Sequence, residues 1–205
     1  IMLALQNTIH QFGIPDEPFR NLIKANRIDQ MQSRFATYKD LQFYCNHSAN
    51  PVGRMVLHVL RQASEENLKL SDATCTALQL VNFWQDVRRD WGKGRIYIPK
   101  EDLDYFGYTE DELANGIINN RFRDLIRFQI DRAEALFIEG IELVNRLEGV
   151  MRFDVALFSN GGLHVIEEIR KLNYDVLNTR PVVSNIRRKW IAISTGFRLF
   201  VLNRV

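Results

Sequence analysis

Asn82, Asp86 and Asp90 stand at intervals of four in the stretch NFWQDVRRD, among Phe83, Trp84 and Val87. On a helix turning 100° per residue, with Asn82 at zero, Asp86 falls at about 40°, Gln79 at about 60°, Asp90 at about 80° and Arg89 at about −20°. Phe83, Val87, Leu80 and Trp84 occupy roughly 100° to 200°, and Gln85 and Arg88 mark a second polar side near 240° to 300°. Only one of the two polar sides need face solvent. Like charges one turn apart repel, and more so where water is excluded, so something must compensate. Arg89, three residues after Asp86, can do so in a solvated salt-bridge face. A hard divalent cation can do so too, because Mg²⁺ takes one or two carboxylates, keeps some waters and completes its shell with phosphate oxygens. Aspartates one turn apart lie about 6 Å from each other along the axis, so each can reach a different ion or a different edge of one diphosphate.

These residues need a scaffold, and the apolar spacing supplies helices almost throughout, with no sustained alternation and no internal repeat. A first helix ends near Gly13, and Asp16 with Pro18 opens a second that runs towards Met31. Thr37 can cap a segment that carries Tyr44, passes through SANPVGR with a kink at Pro51, and ends near Gln62. Ser71 can cap a helix through Asp90 that stops at Gly92, with Gly94 just beyond. Thr109 and Glu112 have the spacing of a capping box ahead of a long amphipathic helix closed by Gly149. Two shorter helices and a last one after Pro181 complete an all-α, single-domain bundle.

With 205 residues, 46% of them apolar and 25% charged, the chain has enough material for one domain with a sizeable core. The formal charge of +2 gives no general case for nucleic acid, although six basic residues and no acid follow Asp175. The two cysteines, Cys45 and Cys75, have no metal-type spacing and suit reduced thiols in a cytoplasmic setting. No apolar run approaches the roughly 20 residues of a membrane-spanning helix, and the start lacks the marks of a signal peptide. Opening on Ile1 inside an apolar stretch, the sequence reads as a segment that lacks an N-terminal part.

The full string ALQLVNFWQDVRRDWGKGRIYIP resembles the second aspartate-rich motif of the squalene/phytoene synthase family, including the tail Gly94-Arg95-x-Tyr97-x-Pro99. YCNHSANPVGR upstream and YDVL at Tyr174 to Leu177 fit the same pattern, in the same order. The resemblance implies an isoprenoid-synthase bundle with a central substrate cavity, Mg²⁺ as cofactor and a prenyl diphosphate as substrate. Two departures point to a branch. Gln85 stands where the family pattern has an arginine, and His47 where squalene synthases have a tyrosine. NFWQDV and SANPVGR look most like the hydroxysqualene synthases of bacterial hopanoid pathways, which convert presqualene diphosphate to hydroxysqualene. Squalene or phytoene synthase and a non-catalytic scaffold member of the superfamily are the alternatives. The family also has an upstream aspartate-rich helix, and Asp86 to Asp90 is the only DxxxD of this chain.

The resemblance assigns Mg²⁺ to Asp86 and Asp90, with Asn82 and Gln79 orienting its water shell or the diphosphate. Arg89, Arg95, Tyr97, Tyr44 and His47 are candidate substrate contacts, Arg95 and Tyr97 on a loop that could close over phosphates. Phe83, Phe43 and Tyr44 could line a cavity for a carbocation, although each also suits the core. His10, His58 and His164 have no metal spacing. The terminal stretch SNIRRKWIAISTGFRLFVLNRV mixes cationic and aromatic residues, which suits either an anionic lipid surface or a helix packed on the bundle with a basic outer side. A peripheral place on the inner face of the cytoplasmic membrane, near other enzymes of the pathway, follows from a lipid substrate.

Overall fold

The structure, a computed structural model, describes residues 2–200, apart from the side chain of Phe200. Among them it is all-α, and the one extended pairing is a single parallel bridge between Arg34 and Ile96. Helix α1 (Met2–Phe12) stops at Gly13, and α2 (Glu17–Met31) carries Pro18 in its first turn. A capping box of Thr37 and Asp40 opens α3 (Tyr38–Ser48). The chain then breaks at Ala49, and α4 (Asn50–Val59) begins with Pro51 in its first turn. The expected kink is thus a junction between two helices, because proline's missing amide proton costs nothing in a first turn.

Ser64, not Ser71, caps the next helix: its side chain accepts from the Asn67 amide at 3.2 Å, and α5 spans Glu65–Gln85. Both serines precede acids, but Glu65 and Glu66 place two charges in the first turn, where the helix dipole favours them. Ser71 is instead buried inside the helix. Nor does the helix run unbroken through Asp90, because α6 (Val87–Gly92) starts after an interruption at Asp86.

After α7 (Lys100–Phe106), the box of Thr109 and Glu112 is present but opens only the short α8 (Glu110–Ala114). Gly116, with φ 66°, turns the chain, and Asn119 caps a separate α9 (Asn120–Gly140). That helix ends well short of Gly149, with α10 (Glu142–Arg146) between them. The pair of shorter helices expected next is one long helix, α11 (Val150–Lys171), followed by α12 (Asn185–Phe200). Its glycine at 162 does not interrupt it because the Phe137 ring of α9 fills the space a side chain would take.

Helix α5 packs against α3, α4, α9 and α11 and forms the middle of the bundle. Its apolar face buries Leu80 and Trp84 against a core that includes Phe122, Ile126, Phe137 and Ile166. Full burial of such side chains contributes about 1.5–3 kcal/mol each, so the position of α5 is set mainly here. Gly140 of α9 lies on Leu70 and Thr74 of α5, so these helices run in opposite directions.

An ion pair ties α9 to α11: Arg170 donates to both carboxylate oxygens of Glu134, at 2.8 and 2.6 Å. That guanidinium holds the Glu134 carboxyl below its ordinary range. A depressed carboxyl stabilises the fold above the unfolded pKa of about 4.3 and loses that contribution as pH falls through the lower folded value. Both side chains are about a third exposed, so screening keeps the contribution within about 1 kcal/mol. Glu134→Gln is expected to lower stability to urea at pH 7 and to match the parent below the folded pKa of Glu134. A deficit that persists undiminished at low pH would show that the loss is one of packing.

Candidate active site

The first aspartate sits at the bend between α5 and α6. Asp86 leaves helical geometry, with φ −109° and ψ 16°, while its amide still bonds the Asn82 carbonyl at 3.0 Å. The Asp90 amide bonds the Asp86 carbonyl at 2.9 Å, so a helical turn joins the two acids despite the bend. Each carboxylate has a cationic partner. Arg180 donates twice to Asp86, from Nε at 2.7 Å and Nη2 at 3.0 Å, across 94 positions of sequence. Arg89 is more distant, at 3.4 Å, and 63% exposed, and Lys93 reaches Asp90 at 3.0 Å. The Arg180 guanidinium holds the Asp86 carboxyl below the usual carboxylate range, against the opposing effect of burial.

Among the described residues no cluster of three or more His, Cys, Asp or Glu could hold an ion. A divalent cation at Asp86 and Asp90 would therefore have two carboxylates and would take its other ligands from water and substrate oxygens. That donor set fits Mg²⁺ and not a closed zinc site.

Gln79 stands on the same side of α5. Its Oε1 accepts from Ser48 at 2.9 Å, which leaves the amide nitrogen as the donor end. Asn82 is exposed, and its side chain makes no hydrogen bond to the described residues. Counting along one helical stripe, Cys75, Leu78, Asn82 and Asp86 follow each other at steps of three and four, with Gln79 four after Cys75 and three before Asn82. The upper part of that stripe is the floor of an apolar cleft of about 430 Å³, walled by Val52, Val56 and Leu57 of α4 and by Val155 and Phe158 of α11. Close approach of α4 depends on Gly53, where a Cβ would lie 2.7 Å from the Cys75 sulfur. Val52, Val56 and Phe158 are exposed, so the expected central cavity is a cleft open along one side.

Beyond α6 the chain reverses through Gly94, at φ 77°, with the Gly94 amide bonded to the Trp91 carbonyl and the Arg95 amide to the Asp90 carbonyl, both at 2.8 Å. This αL termination returns Arg95 and Tyr97 over the end of α5. The Tyr97 ring lies flat on Phe83, with centroids 3.7 Å apart, beside Phe35 and Tyr44. Arg95 donates to the Asp29 carboxylate at 3.3 Å, to the Asp29 carbonyl at 3.0 Å and to the Tyr97 hydroxyl at 3.2 Å. The Tyr44 hydroxyl donates to the same Asp29 carboxylate at 2.9 Å. The loop is held at its far end by backbone bonds from Ile96 to Ser33, Lys100 to Phe35 and Glu101 to Ala36.

The structure thus gathers Asp86, Asp90, Asn82, Gln79 and Arg89 along one side of α5–α6, and Arg95, Tyr97 and Tyr44 around Asp29. His47 turns away onto Phe43, whose carbonyl lies 2.7 Å from its Nδ1. Phe43 itself is 45% exposed under Lys24 and does not join Phe83, so it is not a core residue; it lines a separate groove with Asn46 and Asp72. Phe83 and Tyr44 are buried in the aromatic cluster. Sequence reasoning missed Arg180 and Asp29. Arg180 gave no local signal, since its partner is far away in sequence. Asp29 did give one: an acid in the last turn of a helix opposes the helix dipole unless something else needs it.

Comparison with known proteins matches the Squalene/phytoene synthase family over residues 1–187. The 15-cis-phytoene synthase of Synechocystis sp. is 36% identical over 88% of this chain and 57% of its own length. That of Synechococcus elongatus is 32% identical over 91% and 64%. Among solved structures, squalene synthase HpnC from Alicyclobacillus acidocaldarius is 43% identical with a TM-score of 0.82, over 83% of this chain and 65% of that one. A dehydrosqualene synthase in complex with a ligand is 26% identical with a TM-score of 0.86, over 96% and 70%. The chain spans less than two thirds of the length of the curated relatives cited.

Asp29 is shared by a buried hydroxyl and a guanidinium, so its loss leaves both without their acceptor. Asp29→Ala is expected to lower stability to urea by about 1–3 kcal/mol. Tyr44→Phe in the same background should then add little. Additive losses would show that Tyr44 and Asp29 are not coupled.

Proposed function

The chain belongs to the squalene/phytoene synthase family, members of which process prenyl diphosphates, and from that premise we propose that it ionises presqualene diphosphate and captures water to give hydroxysqualene and pyrophosphate. The observation that carries this reading is the α5 stripe, which runs from an apolar cleft at Cys75 and Leu78 to paired carboxylates at Asp86 and Asp90. Eleven residues of helix span about 16 Å, a length that suits a molecule with an isoprenoid tail and a polyanionic head.

Bound Mg²⁺ would supply Lewis-acid charge to the leaving diphosphate. Asp86 and Asp90 would hold that ion. Gln79, oriented by Ser48, and Asn82 turn amide donors towards the diphosphate, while Arg180 and Arg89 add fixed positive charge. The C–O bond to the diphosphate breaks with both electrons leaving on oxygen, the cyclopropylcarbinyl cation rearranges and a ring C–C bond opens to give a linear allylic cation, water adds to that cation, and its proton passes to solvent. Val52, Val56 and Phe158 would offer apolar contact to the chain of the substrate along the open cleft. Gln85 and His47, the two departures from the family pattern, support the water-capturing branch. A second reading, head-to-head joining of two prenyl diphosphates, is favoured by the phytoene synthase relatives. Retention of both aspartates supports an enzyme over a scaffold.

No helix of the described residues is long and apolar enough to cross a membrane. The sequence allowed a basic outer side for the last helix, and the exposed side carries Arg188, Lys189 and Arg198 together with an apolar stripe. Ile186, Trp190, Ile193 and Phe197 are exposed along one stripe of α12, while Ile191, Thr195 and Leu199 are buried on the opposite one. Lys189 flanks the exposed stripe on one side and Arg187 and Arg198 on the other. Leu202 and Arg204 lie outside the described residues. We propose that this stripe rests on anionic lipid at the inner face of the cytoplasmic membrane, where the substrate resides and where other enzymes of the pathway meet it.

In the full-length protein, presqualene diphosphate with Mg²⁺ and no NADPH is expected to yield hydroxysqualene, whereas the 205-residue segment alone is expected to be inactive. If two farnesyl diphosphates are coupled and the reaction stops, the second reading holds. Asp90→Asn should abolish turnover while costing under about 1 kcal/mol, because its only ion pair among the described residues is with an exposed lysine. Asp86→Asn should also abolish it but cost more, since Arg180 loses its bidentate partner. Retained turnover in either variant would sink the metal assignment. The chain should float with anionic liposomes at low salt and be released at high salt. Trp190→Glu with Ile193→Glu should abolish flotation, and flotation unaffected by that pair would move the lipid contact elsewhere.

A further inference from the structure

Gln85 is buried at the end of α5, beside the first metal-site aspartate, and both ends of its amide are used. The nitrogen donates to the carbonyl of Pro181. The oxygen accepts from Nη2 of Arg180 at 3.2 Å, and that same nitrogen donates to Asp86 at 3.0 Å. Residues 180–184 have no regular structure and join α11 to α12. Pro181 has no amide proton, so its carbonyl is its only backbone handle, and the handle is taken by Gln85.

The demand on position 85 is for a donor and an acceptor in one side chain. An amide meets it, whereas a cation or an apolar group cannot. An arginine there could hold Pro181, but it has no acceptor and would set a second guanidinium against Arg180. The positive charge at Asp86 is therefore not built into α5. It arrives from the α11–α12 connection, and Gln85 fixes where it lands.

A divalent cation at Asp86 competes with Arg180 for the same carboxylate oxygens. Without another partner the released guanidinium, on a segment of irregular backbone, would be free to leave the site. Gln85 retains it through Oε1. We propose that Gln85 is a positioning residue, which keeps Arg180 beside the metal-binding carboxylate so that the guanidinium passes from Asp86 to the diphosphate. The proposal rests on the diphosphate reading above.

Calorimetric titration of the 205-residue chain with Mg²⁺ alone, and with pyrophosphate in the presence of Mg²⁺, separates the possibilities. Gln85→Met should leave Mg²⁺ affinity intact and weaken pyrophosphate roughly tenfold, the size of one charge-assisted hydrogen bond. Arg180→Met should weaken pyrophosphate by as much while tightening Mg²⁺, because it removes the competitor for the Asp86 oxygens, and the double variant should bind pyrophosphate no worse than Arg180→Met, because Gln85 acts through Arg180. Amide exchange at Val182 and Val183 should quicken in Gln85→Met. Gln85→Glu keeps the acceptor for Arg180, so it should bind pyrophosphate better than Arg180→Met, and this comparison stands even where Gln85→Met fails to fold. Unchanged pyrophosphate affinity in Gln85→Met, or additive losses in the double variant, overturns the proposal alone. Absence of Mg²⁺-dependent pyrophosphate binding in the parent chain overturns the diphosphate reading with it.

Discussion

The rest of the site depends on one constraint, the need to hold Asp86 and Asp90 on the same side of a helix end packed against Phe83, Trp84 and Val87. Low-dielectric neighbours raise the repulsion between the acids, and they raise by the same factor the attraction of each acid for a cation. Burying such groups without partners would be costly. The bundle answers with charges from two directions. Lys93 and Arg89 come from the same turn of helix and are exposed, so they add little. Arg180 comes from the far end of the chain, with bidentate geometry, and is the strong partner. The path of α11 beside α5, and the irregular segment after it, are what allow that arginine to reach the helix end.

The same helix carries the opposite chemistry one to three turns earlier. Cys75 and Leu78 floor an apolar cleft because α4 approaches closely at Gly53, and the stripe then changes to amides at Gln79 and Asn82 before it reaches the carboxylates. One helix therefore fixes the distance between an apolar cleft and a cluster of charges. The αL turn at Gly94 follows. It lays Tyr97 on Phe83 and brings Arg95 to Asp29, so the loop after Asp90 is tied to α2 and α3 through one carboxylate.

Much of this was legible in the sequence, for identifiable reasons. The three-to-four periodicity gave the helical class. The cap at Thr37 and the box of Thr109 with Glu112 rest on residues three apart in sequence, and such local chemistry is readable without the tertiary context. Errors arose where a local signal had two solutions. Ser64 and Ser71 are both plausible caps, and the acids of the first turn decide between them. Two shorter helices were expected after Gly149, yet the helix runs on through Gly162, which packs on Phe137 of another helix. The face of α5–α6 was visible because its residues share one periodicity. Arg180 was not, because its partner is 94 positions away and only the fold brings the two together.

The protonation of the remaining polar groups narrows the chemistry of the site. Burial, reinforced by the hydrogen bond to Asp29, pushes the Tyr44 hydroxyl above its ordinary range, so it stays a neutral donor. Burial pushes the Cys45 thiol up to about 12 and raises that of Cys75 in the cleft, so neither is a thiolate near neutral pH. The anionic groups on this side of the bundle are the carboxylates, and Asp29, Asp86 and Asp90 are each engaged by a cation. Such a site is poorly equipped to attack a substrate and well equipped to stabilise negative charge that departs from one. Positive charge at one end of α5 and a mostly apolar cleft at the other, with Asp154 as the carboxylate on its wall, are consistent with the proposed loss of a polyanionic leaving group.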